Sequence, residues 1–348
     1  MLINPNTLSI ITTHTCTAAC DHCCFTCSPK VKDAIPVKNI HKYIDQATEI
    51  KSLKVVVFTG GECFLLGKNL DEVVAHANDN HFATRFVSNG YWATTPQITN
   101  KRLLRLVDAG LKEANFSTGP SHAKYVPTQN VQNGAIEAAK LGLNVAVMVE
   151  VFDNKDFDYE GFLKNPVFHE LIQEKKIKIM MSPWMRFKGE REVRYKDTYS
   201  SPENLDSGPC NTILSVLAIN PRENLIACCG LTLEEIEELH LGSLKDRTMA
   251  EILSETPDDF LKIWIHIKGP DAILNFVRNS NVNVEIPSNI QHICEKCRAL
   301  YKNQNVRDAL RRQSPIDTKK IINEYVNRIN RSKFAAIQRQ CLDYKKAI

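Results

Sequence analysis

Between Leu8 and Pro183, short apolar runs and amphipathic stretches take turns along the chain, and this alternation sets what it can fold into. The runs are Leu8–Thr13, Lys54–Thr59, Thr84–Gly90, Glu113–Thr118, Asn144–Val151 and Ile177–Pro183. Helical spacing of apolar residues fills the intervals at 36–52, 69–80, 99–109, 131–141 and 159–175. Lys54-Val-Val-Val-Phe-Thr is apolar almost without a break, the mark of a strand buried on both faces of a parallel sheet. Strands and helices in this order imply right-handed β-α-β crossovers. Six such units are too few for a closed eight-stranded barrel and enough for a curled, open one.

Parallel barrels carry their chemistry at the carboxyl ends of the strands, and here those ends hold polar and sulfur-bearing residues. After the first run come Cys16, Cys20 and Cys23, spaced C-x3-C-x2-C. Three thiolates fall one short of the four that a closed tetrahedral zinc site needs. Cysteines are the usual ligands of iron–sulfur clusters, and three of them leave one iron of a [4Fe–4S] cube open to a chelating small molecule. A zinc knuckle is the alternative, because Cys24 and Cys27 crowd the same loop. Gly60-Gly61-Glu62 ends the second run, and two glycines let a backbone approach a ligand closely. Ser88 and Asn89 end the third run, and Ser117 lies at the end of the fourth.

With these residues in place, the chain resembles the radical S-adenosylmethionine superfamily. Its signature is the C-x3-C-x2-C loop after the first strand of a partial (β/α)6, TIM-like barrel. The resemblance implies a [4Fe–4S] cluster on Cys16, Cys20 and Cys23 whose open iron binds S-adenosylmethionine. Reductive cleavage would then give methionine and a 5′-deoxyadenosyl radical. It also implies cofactor binding by Gly60, Gly61, Glu62, Ser88, Asn89 and Ser117. One departure is His22, which stands where the family usually places an aromatic residue.

The stretch 187–209 is polar and broken by proline and glycine, and reads as a linker. Arg186, just before it, is a candidate partner for a carboxylate of cofactor or substrate. Beyond the linker stand Cys210, two alternating strands at Leu214–Ile219 and Leu225–Ala227, then Cys228 and Cys229. The alternation and the Pro-Arg-Glu-Asn turn make this a β-hairpin. Helices are expected near 245–255 and 257–278, before Cys294 and Cys297 as C-x2-C. Four thiolates suit structural zinc in isolation. Beside the first motif, they resemble the superfamily's shortened C-terminal domain, called twitch, a relative of the longer SPASM domain. That resemblance implies one auxiliary [4Fe–4S] cluster on Cys210, Cys228, Cys294 and Cys297, with Cys229 able to replace Cys228. If left free, the Cys229 thiol could donate a hydrogen atom to a substrate radical, as in radical epimerases of peptides.

The expected architecture is α/β. A partial barrel over 1–200 is followed by a small α+β auxiliary-cluster domain over 205–305 and a basic helical tail over 306–348. The tail carries eleven lysines and arginines against four acidic residues. A solvated helix pair covering the barrel explains this better than nucleic acid, since net charge over all 348 residues is only +4. No apolar run approaches the roughly 18 residues of a membrane span. Twelve cysteines without an export signal favour clusters in a reducing cytoplasm over disulfides. The expected activity is hydrogen abstraction from an unactivated carbon, most readily in a ribosomally made peptide, by epimerisation, cross-linking or oxidation. A small-molecule dehydrogenase of an antibiotic or sugar pathway is the alternative, and a zinc protein that binds nucleic acid is a distant one. The resemblance further implies an electron donor such as flavodoxin or ferredoxin.

Overall fold

The computed structural model describes residues 4–151, 157–183, 185, 208–256, 259–279, 292–312 and 318–331. The first strand, β1 (Thr7–Ile11), is followed by α1 (Val37–Thr48), β2 (Val55–Thr59), α2 (Asn69–Asp79) and β3 (Ala83–Ser88). Next come α3 (Pro96–Asp108), β4 (Glu113–Thr118), α4 (Pro120–Ala123), α5 (Thr128–Lys140) and β5 (Asn144–Val151). Then follow α6 (Tyr159–Leu163), α7 (Pro166–Gln173) and β6 (Ile177–Pro183). The second half has β7 (Val216–Ile219), β8 (Asn224–Ile226), β9 (His240–Ser243), α8 (Met249–Glu255), α9 (Phe260–Arg278), α10 (Ile293–Lys302) and α11 (Gln304–Arg312). A further helix covers 318–331.

These strands form one sheet in the order β6-β5-β4-β3-β2-β1-β7-β8-β9. Pairing is parallel from β6 through β1 to β7, and antiparallel from β7 to β9. The hairpin expected in a second unit therefore continues the barrel sheet, with Leu8 opposite Leu217. It nevertheless has a core of its own, holding Trp264, Ile265, Leu300 and Tyr301, apart from the barrel core of Tyr43, Phe58, Phe86, Phe116 and Phe168. The described part of the basic tail adds Val306, Ala309, Ile321 and Tyr325 to that second core, so it covers the second half and not the barrel. Residues 332–348 lie outside the described part, as do Arg186 and most of the linker.

Two expected helices are broken, each for a local reason. The stretch 159–175 divides into α6 and α7 at Asn165-Pro166, because a residue before proline is pushed out of the helical region. The Asn165 side chain instead caps α7, accepting from Phe168 N at 3.1 Å. In α9, Gly269 stands at φ +79° before Pro270 and kinks the helix. A Cβ on Gly269 would lie 1.7 Å from the Gly208 carbonyl oxygen. Beside the kink, Cys210 N donates to the Ile265 carbonyl at 3.1 Å. Gly269→Ala should therefore cost about 2–4 kcal/mol, combining left-handed strain with overpacking. Thermal melting checks this, with Gly142→Ala as control: it also has positive φ, but nothing lies within 4 Å of its added Cβ.

Candidate active site

The cysteine loop leaves β1 and is held by its own backbone. His14 N donates to Asp33 O at 2.8 Å, Cys16 N to Ser28 O at 3.2 Å, and Cys23 N to Cys20 O at 3.2 Å. Two of the three signature sulfurs accept hydrogen bonds. Cys16 Sγ takes one from Ala18 N at 3.4 Å and one from Asn89 Nδ2 at 3.6 Å, and Cys23 Sγ takes one from Cys27 N at 3.3 Å. Burial pushes the Cys16 thiol up to about 11 and raises Cys20 further, each made worse by the neighbouring thiolates. The Cys27 hydrogen bond outweighs burial at Cys23 and pulls it down to about 6. Buried thiolates this close need a cationic centre to stay ionised together. Among the described residues, no three His, Cys, Asp or Glu side chains converge as a single metal ion requires. Three thiols fall one short of a closed tetrahedral zinc site and suit three corners of a four-iron cube, so this donor set fits a cluster better than one zinc ion.

Gly60 and Gly61 lie directly against this loop. A Cβ on Gly60 would come within 2.5 Å of Thr13 O, and one on Gly61 within 2.2 Å of Thr15 O. Gly61 N donates to Thr13 O at 2.6 Å and Glu62 N to Thr15 O at 3.0 Å. The glycines thus let β2 seat the cysteine loop, while both also line the cavity beside it. Glu62 is fully buried and does not line that cavity. Its carboxylate accepts from Phe64 N at 3.0 Å, Asn89 N at 2.9 Å and Ser88 Oγ at 3.0 Å. Asn89, fixed in this way, reaches Cys16 Sγ and Thr17 Oγ1. Glu62 is therefore a positioning group that ties the ends of β2 and β3 to the signature loop.

The cavity is about 420 Å³ and opens over the carboxyl ends of the strands. Gly60, Gly61, Ser88, Asn89 and Ser117 all face it, together with Cys16, Cys20 and Cys23. Phe116, Met148, Met180 and Leu231 supply apolar wall. No lysine or arginine lines it among the described residues. Among the lining residues that the sequence reading did not single out are His122 and Glu150. Glu150 is 1% exposed, and its Oε1 accepts from Ser121 N and His122 N while His122 Nδ1 lies 3.2 Å away. Burial alone would lower His122, but the Glu150 carboxylate raises it overall. Burial likewise opposes ionisation of Glu150, and the His122 contact outweighs it. Each partner thus favours the charged form of the other. The sequence signal was the lone charge late in the apolar run Asn144–Val151.

The second thiol set also comes together. Burial, then the charges of Cys210, Cys294 and Cys297, raise Cys228, and Cys294 is pushed up to about 12 by burial with Cys210 beside it. A Cβ on Gly230 would touch both Cys294 Sγ at 3.0 Å and Cys228 Sγ at 3.2 Å. Cys229 points elsewhere: its Sγ donates to Ser9 Oγ at 3.2 Å, and it lines the cavity. The alternation of β8 carries through this step, setting Cys228 among three thiols and Cys229 toward the barrel interior.

Residues 10–118 match the family model described as Radical SAM superfamily, so the chain carries a domain of that superfamily. A protein of Bacillus subtilis (strain 168), YydG, whose name assigns it provisionally to peptide biosynthesis, is 22% identical over 304 residues. That match covers 85% of this chain and 92% of the relative. The solved structure of anSMEcpe with bound AdoMet and the Kp18Cys peptide superposes with a TM-score of 0.55 at 14% identity. It covers 93% of this chain and 99% of that one. The fold is accordingly the α/β partial barrel of radical S-adenosylmethionine enzymes, and the superfamily implies a [4Fe–4S] cluster and S-adenosylmethionine. Cys16, Cys20 and Cys23 fit that cluster, and the adjoining polar strand ends fit the cofactor.

Proposed function

We propose that this chain cleaves S-adenosylmethionine reductively at a cluster held by Cys16, Cys20 and Cys23, and abstracts a hydrogen atom from a peptide. The observation that carries this is convergence: the three thiols, Gly60-Gly61, Ser88-Asn89 and Ser117 share one cavity at the carboxyl ends of β1 to β4. The cofactor supplies the radical when bound, and the protein's part is binding, orientation and exclusion of water. Gly60 and Gly61 offer backbone to the cofactor's amino acid end, and Ser88, Asn89 and Ser117 offer hydroxyl and amide groups. Glu62 acts through Ser88 and Asn89. An auxiliary [4Fe–4S] cluster would take Cys210, Cys228, Cys294 and Cys297, and electrons would come from a ferredoxin or flavodoxin.

A peptide substrate is supported by the name of YydG. Cys229, facing this cavity, would return a hydrogen atom to the substrate carbon, making the outcome an epimerisation. An S–H proton exchanges with solvent, which gives the test. Anaerobic holoenzyme with S-adenosylmethionine, dithionite and a short peptide encoded beside its gene should, in D2O, add one deuterium to the peptide for each 5′-deoxyadenosine formed. Cys229→Ser should abolish the mass gain. A peptide losing two hydrogens would show dehydrogenation or cross-linking, and no peptide change would remove the peptide reading.

A further inference from the structure

The cluster assignments leave three cysteines lining the cavity unused, Cys24, Cys27 and Cys229, of which Cys27 is buried. Cys24 sits at the corner of a turn closed by Thr26 N donating to Cys23 O at 3.0 Å. Phe25, its neighbour in that corner, leans on the second core, the one that also borders Cys229 and Cys297. Cys24 and Cys229 thus line one cavity, the first from the signature loop and the second from just past the end of β8. Both residues are partly exposed. Cys27 and Cys63, the other spare thiols near the loop, are buried, and Cys63 is used up by a hydrogen bond to Val87 O at 3.4 Å.

We infer that Cys24 and Cys229 are a dithiol couple in which Cys24 resets Cys229 after it has given up its hydrogen atom. This rests on the hydrogen-donor role of Cys229 proposed above. In the first step the Cys229 S–H bond breaks, a C–H bond forms on the substrate radical, and a sulfur radical remains. Cys24 then loses its proton to solvent and bonds to that sulfur, giving a disulfide that carries one extra electron. That electron replaces the one spent in cleaving S-adenosylmethionine, so it returns to the centre that supplied it. An external dithiol of the thioredoxin class finally reduces the disulfide, delivering two electrons and two protons. Over a cycle, one dithiol is oxidised for each S-adenosylmethionine reduced to methionine and 5′-deoxyadenosine, and the peptide has no net redox change.

The couple is tested without any substrate. Anaerobic holoenzyme is equilibrated with oxidised glutathione, its free thiols are alkylated, and the digest is mapped by mass spectrometry beside an iron and sulfide assay. One Cys24–Cys229 disulfide is expected in the native chain and none in Cys24→Ser or Cys229→Ser, with iron and sulfide retained in all three. Loss of iron in Cys24→Ser would overturn the inference by making Cys24 a cluster ligand. A glutathione adduct on Cys229 with no bridge, or a bridge between other cysteines, would also overturn it. The same preparation, given S-adenosylmethionine and dithionite, separates the two readings. Without 5′-deoxyadenosine the proposed activity fails, whereas 5′-deoxyadenosine with no bridge sinks the couple alone.

Discussion

Gly61→Ala should give a folded chain that fails to retain iron at the signature loop. The added methyl would lie 2.2 Å from the Thr15 carbonyl oxygen and 2.7 Å from its carbon, so main chain must move against main chain. No side chain can rotate away to relieve this. The move also breaks Gly61 N to Thr13 O and Glu62 N to Thr15 O, which set the start of the cysteine loop on the end of β2. Overpacking of this kind costs about 1–3 kcal/mol, and two lost backbone hydrogen bonds add about 1–3 more. The barrel core is remote enough to survive, so far-ultraviolet circular dichroism should stay native-like while bound iron falls by about half. Gly67→Ala is the control for an added methyl, since nothing lies within 4 Å of its Cβ.

Glu62→Ala should be the second large loss. It leaves Phe64 N, Asn89 N and Ser88 Oγ buried without their acceptor. Stranded donors cost about 1–3 kcal/mol each, so a total near 3–5 kcal/mol and a fall in Tm of roughly 10 °C are expected. The substitution also frees Asn89 from its hold beneath Cys16 Sγ. Cofactor affinity should drop with stability, read by equilibrium dialysis of S-adenosylmethionine at a temperature where both chains are folded. Titration gives an independent sign. Burial pushes the Glu62 carboxyl up to about 7 from its ordinary 4.5, against the three donors that pull it down. The folded chain then holds the proton more tightly than the unfolded chain does. This group's contribution is therefore greatest below about pH 4.5, declines as pH rises to about 7, and is flat above. The full effect is about 3 kcal/mol, and Glu62→Gln should remove this part of the pH slope.

Much of this was legible because it is local. The strand ends of β1 to β4 could be read from runs that stop at Cys16, Gly60, Ser88 and Ser117, and parallel pairing then brings those ends to one rim. The Asn165-Pro166 and Gly269-Pro270 breaks carried a signal in plain view, although each had been read through as one helix. What stayed hidden depends on side chains meeting from distant elements. His122 sits on a four-residue helix too short to show a period, and it matters only because Glu150 reaches across from β5. Gly61 could be read as a close approach, but its partner, the Thr15 backbone, could not. The strand β9 went unseen because His240-Leu-Gly-Ser has no alternation and pairs by way of a register shift near Ile226. Cys24 and Cys229 come from opposite halves of the chain, and only the fold brings both to one cavity.

The central claim is that Cys16, Cys20 and Cys23 hold a cluster able to cleave S-adenosylmethionine. Chain purified without oxygen and reconstituted with iron and sulfide is given dithionite and S-adenosylmethionine, and 5′-deoxyadenosine is measured by liquid chromatography. The account predicts a brown protein with about eight irons, as two four-iron clusters require. It also predicts 5′-deoxyadenosine that disappears when Cys16, Cys20 or Cys23 is changed to alanine. A colourless chain that binds zinc and leaves S-adenosylmethionine intact would contradict it.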